Sequence, residues 1–126
     1  MSFISEELVI LSKERVNKAL RGLGLSSGDV HVFVFLARTG PQTMREIASA
    51  LNLPESKALR SLKDLQNLNI VQASVEYPLE FMAVPFEEVV NLIIEVKKEQ
   101  AKTLQASKDE LLSTWRSITE KDEEKS

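Results

Sequence analysis

With 126 residues and a formal net charge of −3, the chain can bury one modest core, or one small domain with an appendage. Its 43% hydrophobic and 28% charged residues are the mixture of a folded protein, and no apolar run is long enough to span a bilayer. The absence of cysteine removes disulfide and thiol chemistry, and the opening MSFISEELVILSKER lacks the basic start and cleavage site of a signal peptide, so a cytoplasmic protein with no membrane attachment is expected.

Ser12 through Arg21 reads as a short helix with Val16, Ala19, Leu20 and Leu23 on its apolar stripe, closed by Gly22 or Gly24. Ser5 is placed to cap a further turn carrying Leu8 and Val9. The next segment, SSGDVHVFVFLARTG, carries two signals. Val30, Val32, Val34 and Leu36 alternate as in a strand, whereas Ser26 with Asp29 resembles a capping box and Gly40-Pro41 is a strong stop. The helical reading is preferred. Its apolar residues then cover more than one face, so burial on two sides is expected.

Thr43-Met44-Arg45-Glu46 is a better capping box, opening a short helix with Ile47, Ala48 and Leu51 inward. Asn52 and Leu53 form a turn, and Pro54 suits the first position of the following helix, 54–68. There Ala58, Leu62 and Leu65 share one face, and Asn69 can close the helix in the left-handed conformation. Two short β candidates, IVQASV and LEFMAV, flank Glu76-Tyr77-Pro78 as a hairpin. The expected fold is therefore mainly α with a small β-hairpin: a winged helix-turn-helix with an N-terminal helix over residues 1–84.

From Pro85 the pattern changes. Phe86, Val89, Ile93, Val96, Gln100, Leu104, Ser107, Leu111, Trp115 and Ile118 recur at threes and fours. They form one stripe on a helix of about 33 residues, roughly 50 Å long. A small winged domain cannot cover that length. Residues 85–119 are therefore expected to be a long amphipathic helix that pairs with a second copy, dimerising through Phe86, Val89, Ile93, Val96, Leu104, Leu111, Trp115 and Ile118. Residues 120–126, EKDEEKS, are expected to be a charged flexible tail.

No catalytic constellation can be assembled, so no enzyme activity, metal or cofactor is expected. His31 is the sole histidine and lies in an apolar segment, where a packed or hydrogen-bonded structural role is expected. Glu87, Glu88, Glu95 and Glu99 are spaced along the long helix as a solvated, salt-linked face. The inward set on helix 54–68 leaves Glu55, Ser56, Lys57, Arg60, Ser61 and Asp64 outward. Ser56 and Ser61 can bond phosphate or base edges, and Lys57 and Arg60 can contact phosphate or guanine. Thr43 and Arg45 are suited to anchoring the DNA backbone, and Lys63 lies at the rim. Glu55 is suited to accepting from cytosine N4, or to facing the positive end of its own helix. Charge tempers this picture: residues 26–84 carry five basic and six acidic groups. The hairpin, from Gln72 to Val84, offers Glu76 and Glu80 and no Lys or Arg.

Three passages carry a family resemblance. LGLSSGDVHVFVFLARTG (23–40), TMREIASALNLPESKALRSLKDLQNLNIV (43–71) and FMAVPFEEVVNLI (81–93) resemble the winged-helix domain of archaeal TrmB-like transcriptional regulators, the Ala83-Val84-Pro85 junction most specifically. Short archaeal Lrp-like regulators are a second resemblance. The first implies a homodimer bound to double-stranded DNA that regulates transcription by occupying promoters. The chain departs from that pattern at Glu55, where Arg is frequent, at Leu59, where an aromatic is common, and in its non-basic wing, EYPLEF. It is also expected to lack the sugar-binding effector domain of larger members. The expected function is a dimeric sequence-specific DNA-binding regulator reading the major groove with helix 54–68. The alternative is a winged-helix module that docks a protein partner and binds DNA weakly or not at all.

Overall fold

The computed structural model describes residues 2–120, with side chains from residue 12 onward. Leu8 and Val9, and the tail beyond Glu120, therefore lie outside the described side chains. Among the described residues, six helices and three short strands follow one another: α1 (Ser2–Arg21), α2 (Ser27–Thr39), β1 (Gln42–Thr43), α3 (Met44–Ala50), α4 (Glu55–Asn67), β2 (Val71–Ala73), β3 (Glu80–Ala83), α5 (Phe86–Ala106) and α6 (Lys108–Thr119). Two compact units result, up to Ile93 and from Ile94 onward.

In the first unit α1 is one helix of 20 residues, so Ser5 lies inside it rather than at the start of a separate turn. Of its expected stripe Leu20 is buried and Val16 is exposed. The ambiguous segment 26–39 is helical, and its cap explains why. Ser26 Oγ accepts from the Asp29 amide at 3.1 Å while Asp29 Oδ2 accepts from the Ser26 amide at 3.2 Å, so two otherwise orphaned donors are satisfied reciprocally. Gly40 ends the helix at φ 83°, a conformation that suits glycine. Burial is confined to one broad face with Val30, Val32, Phe33 and Leu36, while Val34 is exposed. His31 is exposed as well, so the packed histidine expected from its neighbours does not occur. Position 31 points away from the face that its apolar neighbours fill.

The second box forms as expected at α3: Thr43 Oγ1 accepts from the Glu46 amide at 3.2 Å, and Glu46 Oε1 accepts from the Thr43 amide at 2.9 Å. Both helices of the helix-turn-helix then close in the same way. Asn52 (φ 54°) and Asn69 (φ 61°) turn the chain left-handed. The Leu53 amide reaches back to Ala48 O at 2.8 Å, and Ile70 to Leu65 O at 3.2 Å. These are Schellman closures, which satisfy the last carbonyls and fix the exit direction of each helix. Pro54 caps α4 from just outside it, one position earlier than expected.

The hairpin is part of a three-stranded antiparallel sheet in the order β1-β3-β2. Val71, Gln72 and Ala73 face Ala83, Met82 and Phe81, and β1 adds Gln42 opposite Phe81 and Thr43 opposite Glu80. The core gathers Leu36, Ile47, Leu62, Leu65, Ile70 and Phe81. It also takes Val89, which is fully buried, with Leu92 and Ile93 packed against it. The expected division at 84/85 therefore falls too early: the first two turns of α5 complete the winged domain.

In the second unit the single long helix is interrupted. Ser107 adopts φ −93°, ψ 4°, and its amide is shared between Thr103 O at 3.0 Å and Leu104 O at 3.2 Å. Sharing of this kind tightens a turn. Glu95 pairs with Lys98 at 3.7 Å on the exposed face.

Candidate nucleic-acid interface

The reading face is made by burial on its opposite side. Ala58, Leu62 and Leu65 are fully buried, so the orientation of α4 about its axis is set and the residues on its opposite side face outward. Glu55, Ser56, Lys57, Arg60, Lys63 and Asp64 are all exposed. Ser61 is not. It is buried among the core residues of α4, between Ala58 and Leu65, because the inward arc is wide enough to include it beside Leu62. It is therefore removed from the outward set. Thr43 is half-buried, with its hydroxyl engaged as cap acceptor and its backbone in β1, so its first role is to hold α3.

Arg45 and Glu55 prove to be neighbours. The first turn of α3 brings the Arg45 side chain, 88% exposed, to the first turn of α4, where its Nε lies 3.5 Å from Glu55 Oε1. Glu55 thus directs its charge at a cation of the same surface. The sequence contains the signal only indirectly, as opposite charges in the opening turns of the two helices of one motif. Lys57, Arg60 and Lys63 are the cations of α4 on this face, accompanied by Asp64.

The wing is tied rather than loose. Ser74 Oγ donates to Glu76 O at 3.1 Å and accepts from the Glu80 amide at 2.9 Å, and the Ser74 amide donates to Glu80 O at 2.7 Å. This clasp presents Val75, 98% exposed, and Tyr77, 93% exposed. Leu79 and Met82 are exposed too. A wing with two carboxylates and no Lys or Arg between Gln72 and Val84 has no cation to attract a phosphate.

The second unit carries a different surface. A groove of about 620 Å³ runs along α5 and α6, lined by Glu95, Val96, Glu99, Gln100, Thr103, Leu104, Ser107 and Leu111. The stripe stays uncovered beyond it, with Leu104, Leu111, Leu112, Trp115 and Ile118 exposed, Trp115 at 63%. Of the expected dimerisation residues, Val89 is fully buried and Ile93 partly buried within the first unit, so neither presents its side chain freely to a partner. Phe86 is exposed and Val96 half-buried. Among the described residues no three His, Cys, Asp or Glu side chains converge as a metal site would require, and no helix is long and apolar enough to cross a membrane.

Comparison with known proteins places these features in a family. The model of the family "Sugar-specific transcriptional regulator TrmB" matches residues 20–87, from the end of α1 to the start of α5. An uncharacterized protein of Methanocaldococcus jannaschii, MJ1503, is 27% identical over 94 residues, covering 70% of this chain and 71% of its own length. Among solved structures, a possible transcriptional regulator from Methanosarcina mazei superposes with a TM-score of 0.67 at 19% identity, over 75% of this chain and 87% of that one. The transcriptional regulator Tm0710 of Thermotoga maritima reaches 0.56 at 18% identity, over 95% and 97%. A mutant of S. aureus MepR, solved bound to an oligodeoxyribonucleotide, reaches 0.52 at 16% identity, over 94% and 97%. These neighbours share the winged-helix fold, and Tm0710 and MepR match over nearly all of this chain.

Proposed function

Since the chain belongs to the TrmB family of transcriptional regulators, we propose that it is a dimeric regulator that lays α4 in the major groove of duplex DNA and reads sequence there. The observation that carries the reading is the locked face of α4. Three fully buried anchors, Ala58, Leu62 and Leu65, hold Ser56, Lys57 and Arg60 outward together. Arg60, in the middle of that face, is suited to a bidentate contact with guanine. Lys57 and Lys63 are suited to flanking phosphates, which set register without reading sequence. The proposal takes from the family its transcriptional role and its winged domain, to which the match is confined, and not its sugar specificity.

The second copy is assigned to the stripe of α5 and α6. Its exposed Leu104, Leu111, Trp115 and Ile118 are more contiguous apolar surface than a lone helix leaves in water, and an identical stripe is the simplest complement. Two α4 helices related by a two-fold axis would read half-sites about 34–36 Å apart, or a multiple of that.

Selection of bound fragments from random duplex DNA tests the proposal, with the enriched site titrated at several salt concentrations. A two-fold site is expected, and Arg60→Ala should weaken it by roughly 5- to 150-fold, the range for losing one bidentate base contact. No enrichment, with only weak binding that vanishes as salt rises, would overturn it. That result would favour the second reading, docking to a protein, for which the cation-free wing with exposed Val75 and Tyr77 speaks.

A further inference from the structure

We infer that Glu55 serves as an internal substitute for a DNA phosphate on Arg45, holding one cation out of the contact with bulk duplex and so lowering affinity for non-specific DNA. The inference rests on the proposed DNA-reading role of α4.

The geometry is specific to this face. Arg45 lies at the start of α3, the helix that crosses the backbone in a helix-turn-helix, and its side chain is 88% exposed. It is free to swing to a phosphate, yet Nε rests 3.5 Å from Glu55 Oε1. Guanidinium meets carboxylate and phosphate in the same way, so the two compete for one fork. Glu55 is also the first residue of α4, where the unpaired amides of the helix end attract an anion. No side chain caps α4: Pro54 stands at its N-cap and makes no side-chain hydrogen bond. The positive end of the helix favours a carboxylate beside Arg45, and a phosphate must displace Glu55 from the guanidinium. The cations of α4, Lys57, Arg60 and Lys63, outnumber Asp64 on this face, so among the described residues Arg45 is the one cation of the surface that an ion pair holds back.

The pair bears on discrimination between sites. Non-specific binding depends on the number of phosphates neutralised, so holding back one arginine costs bulk DNA one contact of a small set. A site that offers Glu55 a donor in return, such as a cytosine or adenine amino group in the major groove, recovers what is lost.

A double-mutant cycle on the full-length chain separates this coupling from simple repulsion. Wild type, Glu55→Gln, Arg45→Gln and the double variant are titrated with a random-sequence duplex from low to physiological salt. All changes are at exposed side chains, and circular dichroism checks that each variant folds. Glu55→Gln is expected to bind about two- to fivefold more tightly, in keeping with the modest strength of an exposed pair, and its logarithmic salt slope should steepen by about 0.9, one phosphate. With Arg45 gone there is no cation left to release, so the double variant should bind like Arg45→Gln, with the same salt slope. An equal gain from Glu55→Gln with and without Arg45 would overturn the inference, because Glu55 would then act by direct repulsion. A salt slope that falls by about 0.9 on Arg45→Gln alone would overturn it too, because Arg45 would already be engaged on a phosphate. In both cases the DNA-reading role would stand. Failure of all four proteins to bind the duplex even at low salt would overturn that role together with the inference.

Discussion

Val89 separates what the apolar stripe suggests from what packing does with it. It shares the spacing of the stripe residues, but it is fully buried in the winged domain, where α5 seals the core beside Leu92 and Ile93. Val89→Ala removes two methyl-sized groups, about 1.6 kcal/mol of transfer free energy at about 0.8 per group. If the surroundings fail to close, a void of roughly 40 Å³ adds about 1 kcal/mol at ~24 cal/mol per Å³. The expected loss is therefore about 1.6–2.6 kcal/mol. With a urea dependence of about 2 kcal/mol/M for a small domain, the midpoint should fall by about 1 M. The assay is urea unfolding followed by circular dichroism, repeated at a tenfold higher protein concentration, with sedimentation in the absence of urea. The shift should be the same at both concentrations, and the native oligomeric state should not change. A variant that keeps its unfolding midpoint but dissociates would refute the reasoning and return Val89 to a helix–helix seam.

The reverse outcome is expected for Trp115→Ala with Leu111→Ala: sedimentation should show a weakened dimer, while unfolding of the winged domain stays within about 0.5 kcal/mol, since neither side chain is buried within the chain. Thr43→Ala removes the hydroxyl that caps α3 and should cost about 1 kcal/mol, read from the thermal midpoint. In the wing, Ser74→Ala deletes the acceptor of the Glu80 amide. Hydrogen exchange at Glu80 should accelerate while the core amides of α2 and α4 keep their protection; unchanged exchange at Glu80 would mean that the clasp does not hold the wing in solution.

The parts of this protein legible in its sequence are those whose cause lies within a few residues. The boxes at Ser26/Asp29 and Thr43/Glu46 are i,i+3 pairs, and Asn52 and Asn69 turn left-handed where the apolar spacing breaks off. The inward face of α4 follows from Ala58, Leu62 and Leu65 alone. The helical reading of α2 was legible in its cap, a local bond that marks the helix start, while burial of Val30, Phe33 and Leu36 in the core holds it. The candidate site is less legible. Outward direction can be inferred for Ser56, Lys57 and Arg60, but Ser61 sits at the border of the inward arc, and only the packed neighbours of α4 decide how wide that arc is.

By itself, then, the sequence determined where α2, α3 and α4 start, stop and turn, and hence the winged-helix order, because caps, closing residues and apolar periods act through bonds and contacts along the chain; it marked neither the start of α1 nor the break at Ser107. Tertiary structure alone decided which chain segments meet. It added β1 to the sheet through Gln42 and Phe81, drew Val89 from the stripe into the core, and set Arg45 against Glu55. Each of these is a contact between segments brought together by folding, and spacing along one helix records which residues share a face but not what covers it.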